Sequence, residues 1–254
     1  MKKFLIIIII LSSINVFSQN DSLSIQRNLL KQDEISTSFK LSTNGWGFDY
    51  RRGYIINMHQ KNLYEIQFNT IKHPKEEKIP SVFYTFKSFI YGKENECFDL
   101  RFGLGKQYLL FDKKTPGTVG IRLFGFVGGD MAFLKPIYYV IMVNQNNWDS
   151  VTEKYKPSHQ PATIEKKASF WMGFDEIKIN PGIYAKLGTS FEYSKTTTFL
   201  NSLEFGLESY LFLNRLEIMG ELDNPRFIVS MYVSYRIGVL IENKHKPKET
   251  GIGF

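Results

Sequence analysis

The chain has little of what most protein chemistry needs. A single cysteine, Cys97, stands among 254 residues, which excludes an intramolecular disulfide and a multi-cysteine metal centre and suits a small apolar filler at the start of a strand. The four histidines, His59, His73, His159 and His245, fall without the spacing of a metal-ligating pair, so no metal or cofactor is expected. Beyond Leu11 no long apolar run occurs. That excludes a helical membrane protein, whose spans need roughly 20 apolar residues. No G-x-S-x-G elbow is present. The run Gly103-Leu104-Gly105-Lys106 lacks both the glycine spacing and the following Ser or Thr of a phosphate-binding loop. No internal repeat, low-complexity tract or compact basic stripe for nucleic acid is found.

A short positive region stands at the N-terminus. Lys2 and Lys3 precede the apolar run Phe4 to Leu11 and the small-residue site Val16-Phe17-Ser18. This is the pattern of a secretory signal peptide, 1–18, with Gln19 as the mature N-terminus. No cysteine near that site supports a lipoprotein. Removing the two lysines takes the net charge from +7 to 7 − 2 = +5, read as basic residues spread over loops and tail.

Aromatic residues are plentiful, 15% of the chain with 22 Phe and 14 Tyr, and they recur at period two. In Arg226 to Val239, Phe227, Val229, Met231, Val233, Tyr235, Ile237 and Val239 share one face and Arg226, Ser230, Tyr232, Ser234 and Arg236 the other. One strand of this kind fits a soluble sandwich as well as a barrel with one face in lipid and one toward a polar lumen. The same alternation recurs at Ile35 to Ser42, Trp46 to Ile55, Leu63 to Ile71, Val82 to Tyr91, Phe98 to Leu104, Val119 to Val127, Met131 to Met142, Ile183 to Tyr193 and Phe199 to Phe212. Asn44-Gly45 and Gly128-Gly129 read as hairpin turns. Pro136 interrupts its strand. Arg52 breaks an apolar face and marks a strand leaving the membrane.

The expectation is an all-β transmembrane antiparallel up-and-down barrel of about ten strands, with eight to twelve allowed. It occupies 35–239, after a polar lead-in at 19–34 and before a polar tail at 240–254 in which Pro247 argues against a further strand. Connections sort by parity. Those after odd strands include Lys72 to Ser81, Gly105 to Thr118, Asn144 to Gly182 and Leu213 to Pro225, while those after even strands are short; the tight Asn44-Gly45 turn is the exception on the long side. Long loops on one side and turns on the other match an outer-membrane barrel. Arg226 to Val239 then pairs back to Ile35 to Ser42.

Several segments carry a family resemblance together: LSTNGWGFDYRRG at Leu41 to Gly53, NTIKHPKE at Asn69 to Glu76, SFIYGK at Ser88 to Lys93, GGDMAFLKPIYYVI at Gly128 to Ile141, and FDEIKINPGIYAKLG at Phe174 to Gly188. They resemble a group of outer-membrane β-barrel proteins of Gram-negative bacteria. The resemblance implies a location and a fold, and it carries no activity or catalytic residue. The polar tail departs from the usual barrel ending, although Phe254 is a terminal aromatic of the kind barrel-assembly signals use.

On these registers the inward faces carry Lys40, Arg51, Arg101, Arg122, Lys186, Arg226 and Arg236 with Asp49, Glu65, Asp99, Glu192, Glu204 and Glu208. Interspersed signs predict an ion-pair network filling a narrow lumen, with a small-solute channel as the alternative. The long loop carries Trp148, Tyr155, Phe170, Trp171 and Phe174. These either form a binding surface for an extracellular ligand or protein, pack at the barrel mouth, or belong to an interfacial girdle. A membrane-embedded lipid hydrolase would have to use His73 with Ser81 or Ser88. The expected role is structural or surface-binding rather than enzymatic. Outer-membrane lipids and the barrel-assembly machinery are the expected partners of a monomer, and no nucleic acid is expected.

Overall fold

Period-two alternation becomes a closed sheet. The computed structural model describes residues 32–57, 59–81, 83, 88–112, 118–144, 149–156, 159–193, 198–220 and 222–242. The expected signal peptide, residues 19–31 of the lead-in and 243–254 of the tail lie outside them. The first strand, β1 (Gln32–Ser42), turns into β2 (Gly45–Asn57), which returns as β3 (Gln60–Ile71). Two short strands, β4 (Lys78–Pro80) and β5 (Ser88–Ile90), pair with each other. The long β6 (Asn95–Phe111) and β7 (Gly120–Pro136) follow. Next come β8 (Tyr138–Asn144), β9 (Asp149–Lys154), a 3-10 turn at Pro161–Thr163 and β10 (Ile164–Lys167). The chain finishes with β11 (Lys178–Glu192), β12 (Phe199–Phe212) and β13 (Phe227–Glu242).

Eight of these close a barrel in the order β1-β13-β12-β11-β7-β6-β3-β2, every neighbour antiparallel. Closure runs through β13 and β1, with Tyr235 opposite Phe39. Closing the sheet removes the unpaired edges that an open antiparallel sheet would expose.

The barrel therefore has eight strands where about ten were expected, and two readings account for the difference. Gly128-Gly129 is not a turn: β7 runs straight through it, and Gly128 lies opposite Gly103 and Gly129 opposite Phe102. A Cβ on Gly128 would sit 2.0 Å from the carbonyl oxygen of Phe102, so this glycine is required by close strand approach rather than by a reversal. In the segment Val82 to Tyr91, Ser88–Ile90 pairs with β4 in a satellite sheet, outside the barrel. Losing two strands preserves parity, so the later strands keep their direction.

Three further corrections concern connections. Gly105 to Phe111 belongs to β6, which moves that connection to residues 112–119 at the opposite end of the barrel. Asn144 to Gly182 contains β9 and β10, which flank β8 in a three-stranded sheet, and the start of β11. The first hairpin turns at Thr43–Asn44, with Ser42 paired to Gly45, one residue earlier than Asn44-Gly45. Gly45 instead lets the strand approach Thr70, whose carbonyl oxygen a Cβ would meet at 2.0 Å.

The long connections, 72–94, 137–177 and 213–226, all leave the same end of the barrel. Chain entry into β1 and exit from β13 are at the other end, with the connections at 58–59, 112–119 and 193–198. At the long-connection end, Leu216, Ile218 and Met219 fold inward and pack with Ile71, Cys97, Leu134 and Phe212. Cys97 is a buried free thiol in that cluster. A second cluster, Phe89, Ile137, Tyr139, Ile141, Tyr155 and Ile164, holds the satellite sheets together.

Candidate functional site

The barrel is inverted relative to a water-soluble one. Arg51, Arg101 and Arg236 are 0%, 1% and 1% exposed, whereas Leu104, Val127 and Leu187 are 61%, 65% and 65% exposed. Alternation puts every second residue inside, so the interior inherits the charged face of each strand.

In the middle of the barrel Arg51 bridges two carboxylates, with Nη2 2.6 Å from Glu65 Oε2 and Nη1 2.7 Å from Glu204 Oε1. Arg236 reaches the same Glu204, Nε to Oε1 2.9 Å, and Asp49, Nη2 to Oδ1 2.6 Å. Lys186 closes this group at 3.0 Å from Glu65 Oε1. Nearer the long-connection end, Lys40 lies 2.6 Å from Glu208 Oε1, and Arg101 contacts Glu208 Oε2 at 2.9 Å, Asp130 at 3.1 Å, and Asp99. Toward the other end Lys61 pairs with Glu34 and Arg122 with Glu192, each at 3.1 Å. Aromatic rings pack among these charged groups. Arg51 Cζ lies 4.7 Å from the Phe124 ring, Arg101 Cζ 3.9 Å from the Tyr210 ring, and Lys186 Nζ 5.0 Å from the Tyr232 ring. Tyr210 Oη donates to Glu208 Oε2 at 2.7 Å.

The structure thus brings together Lys40, Asp49, Arg51, Glu65, Asp99, Arg101, Lys186, Glu204, Glu208 and Arg236. Arg122 and Glu192 pair at the short-turn end, with Arg122 half-buried. Arg226 is a correction: it precedes β13, is exposed, and donates from Nε to the carbonyl of Phe212 at 2.8 Å. The ladder ends at Phe227, so no pleat directs Arg226 inward.

Sequence reading missed Glu34, Lys61 and Asp130. Glu34 falls in the expected lead-in, Lys61 in a turn, and Asp130 beside the false break at Gly128-Gly129. Extending the period-two pattern one or two residues past each boundary recovers all three.

The loop aromatics divide. Trp148 lies outside the described residues. Tyr155 is buried in the satellite core, 5.8 Å from the Tyr139 ring, and so is no surface residue. Burial, with Tyr155 beside it, pushes the Tyr139 phenol above its ordinary pKa. Phe170, Trp171 and Phe174 form one cluster on the outer surface, with Trp171 78% exposed. Phe170 also meets Phe98, which stacks on Phe68. Beneath them lies the ammonium of Lys135, 4.5 Å from the Phe170 ring and 3.3 Å from Glu96.

The candidate hydrolase residues have other partners. His73 Nδ1 accepts the N–H of Lys75, and Ser81 Oγ donates to the carbonyl of Glu165. Ser88 is exposed. Among the described residues no hydrogen bond joins His73 to either serine, and no group of His, Cys, Asp and Glu could hold a metal ion.

No protein-family model matches the chain, and no curated protein matches it in sequence. Solved structures are similar to it in fold. The attachment invasion locus protein Ail of Yersinia pestis aligns at TM-score 0.41 and 8% identity over 84% of this chain and 99% of that one. Neisserial surface protein A aligns at TM-score 0.39 and 13% identity over 82% and 95%. The N-terminal β-barrel domain of Pseudomonas aeruginosa OprF aligns at TM-score 0.35 and 10% identity over 84% and 98%. Likeness of this degree assigns neither an activity nor a partner.

Proposed function

We propose that this chain is an outer-membrane β-barrel with a closed interior, which presents its long connections at the cell surface in a structural or binding role. The observation that carries the reading is the inversion of burial. A soluble protein rarely exposes a contiguous apolar patch of more than a few hundred Å². Here every barrel strand turns large apolar side chains outward, among them Phe48, Ile66, Phe102, Val127, Leu187, Phe205, Met231 and Ile237. Lipid solvates such a surface, and closure pairs each barrel strand with a neighbour on both sides.

Segregation of loop length supports an orientation with residues 72–94, 137–177 and 213–226 outside and the chain ends on the periplasmic side. The signal pattern at residues 1–18 supports export through the inner membrane. Interior ion pairs and the Leu216–Ile218–Met219 stopper support a filled lumen rather than a channel. Outer-membrane lipids would surround a monomer inserted by the barrel-assembly machinery, and the exposed Phe170, Trp171 and Phe174 would face the interface or an extracellular partner.

The test joins fractionation to conductance. The chain should sediment with the outer membrane and migrate faster unheated than boiled on a gel. In planar bilayers it should produce no discrete current steps above a protein-free control. A soluble, heat-invariant product would sink the membrane reading, and regular salt-dependent steps would sink the closed interior.

A further inference from the structure

The outer face of β2, β3, β6 and β7 is not uniformly filled. A groove of about 1130 Å³ lies there, and two rows of outward residues line it. Cross-strand pairing places Tyr50, Ile66, Phe102 and Gly129 in the first row, and Arg52, Tyr64, Leu104 and Val127 in the second. Gly129 leaves part of the groove open, since a Cβ there would meet nothing within 4 Å.

Chemistry changes across the groove. The first row is apolar apart from the Tyr50 hydroxyl. The second opens with Arg52, exposed, its Cζ 5.1 Å from the Tyr54 ring, which in turn meets Tyr64 edge-on at 5.7 Å. The next row toward the short-turn end is Tyr54, Asn62, Lys106 and Gly125, and Lys106 is also exposed. The apolar trough thus ends at Arg52, Tyr54 and Tyr64 on its short-turn side, and Lys106 stands in the row just beyond its lining. An arginine is costly in hydrocarbon unless it reaches the interface or an anion.

We infer that this groove is a binding site for an anionic glycerophospholipid of the periplasmic leaflet. The acyl chains would lie along Ile66, Phe102, Leu104 and Val127, with the headgroup phosphate at Arg52 and Lys106. The occupant follows from charge complementarity and from shape, since only a molecule with both an anionic head and apolar tails matches the two ends of the trough. Arg52, which breaks an otherwise apolar face, thereby acquires a role. The inference rests on the membrane reading above.

The experiment uses the full mature chain reconstituted in phosphatidylcholine vesicles, with spin-labelled phosphatidylglycerol or phosphatidylcholine as probe. The wild type should immobilise phosphatidylglycerol in preference to phosphatidylcholine. R52Q and K106Q should each lower that preference about fivefold, the usual worth of one cation near a lipid surface, and R52K should retain it. G129W, whose side chain occupies the open space, should reduce immobilisation of either lipid. Heat-shifted gel migration is measured for every variant. Loss of that shift in the wild type would overturn the membrane reading, whereas an intact shift with unchanged selectivity in R52Q and K106Q, or undiminished immobilisation in G129W, would overturn the lipid site alone. Displacement of phosphatidylglycerol by inorganic phosphate at equal concentration would assign the cations to free phosphate and overturn the lipid as occupant.

Discussion

Arg51 and Glu204 meet across the barrel interior, Nη1 2.7 Å from Oε1, although their strands β2 and β12 are not neighbours in the sheet. The pair is a strut through the lumen rather than a rung between adjacent strands. Arg236 shares the same carboxylate from β13, and Glu65 shares Arg51 from β3. Removing one member strands a fully buried charge. Arg51→Met is therefore expected to destabilise the barrel by about 3–5 kcal/mol, the range for breaking one side of a buried pair. Urea unfolding in lipid vesicles, followed by tryptophan fluorescence, measures it. An unchanged midpoint would show that the strut does not hold the barrel together.

The outward face gives the opposite expectation. Leu187, 65% exposed on β11, would tolerate arginine in a water-soluble protein, where surface substitutions stay within about 0.5 kcal/mol. On a lipid face near the midplane, Leu187→Arg should cost about 2–4 kcal/mol. The same unfolding assay decides between the two, and a neutral result argues against lipid contact.

The stopper is part of the folded unit and not a loose loop. Ile218 is fully buried, and its carbonyl accepts the N–H groups of Glu94 and Asn95 at 2.9 and 3.2 Å. Ile218→Ala should cost about 2–5 kcal/mol, while Leu213→Ala, at an exposed position of the same connection, should be close to neutral. Equal costs at the two sites would contradict a packed stopper.

Outside the barrel strands, Glu176 anchors the aromatic segment to the satellite sheet. The hydrogen bond from Tyr138, together with the Lys154 ammonium 3.2 Å away, holds its carboxyl below the ordinary carboxylate range. A depressed folded pKa means that the contribution is complete above the unfolded carboxylate pKa and lost as pH falls through the folded one. Protease resistance of the 168–177 segment should therefore decline in acid, modestly because the Glu176 and Lys154 side chains are 42% and 39% exposed. Glu176→Gln should abolish that pH dependence, and persistence of the dependence would exclude Glu176 as its source.

Period two in the sequence is a local property, and it was legible. It placed Phe227, Val229, Met231, Val233, Tyr235, Ile237 and Val239 on one face and Arg236 on the other, and it put Lys40, Arg51, Glu65, Glu204 and Glu208 on inward positions. Glycine was less legible. Gly128-Gly129 carries the composition of a turn, but Gly128 answers to the close approach of the neighbouring strand β6, and a Cβ on Gly129 would meet open space. Loop residues were least legible, because the burial of Tyr155 and Ile218 depends on segments that alternation does not describe.

The sequence by itself determined which side of each strand is charged and which is apolar, because alternate side chains must diverge whatever the strand pairs with. Only the tertiary structure decided that eight strands close the sheet, that Glu204 serves both Arg51 and Arg236, and that Gly129 leaves Arg52 at the edge of a trough. Those outcomes arise from register and closure, which bring together residues as far apart as Arg51 and Glu204, and no local pattern encodes such a distance.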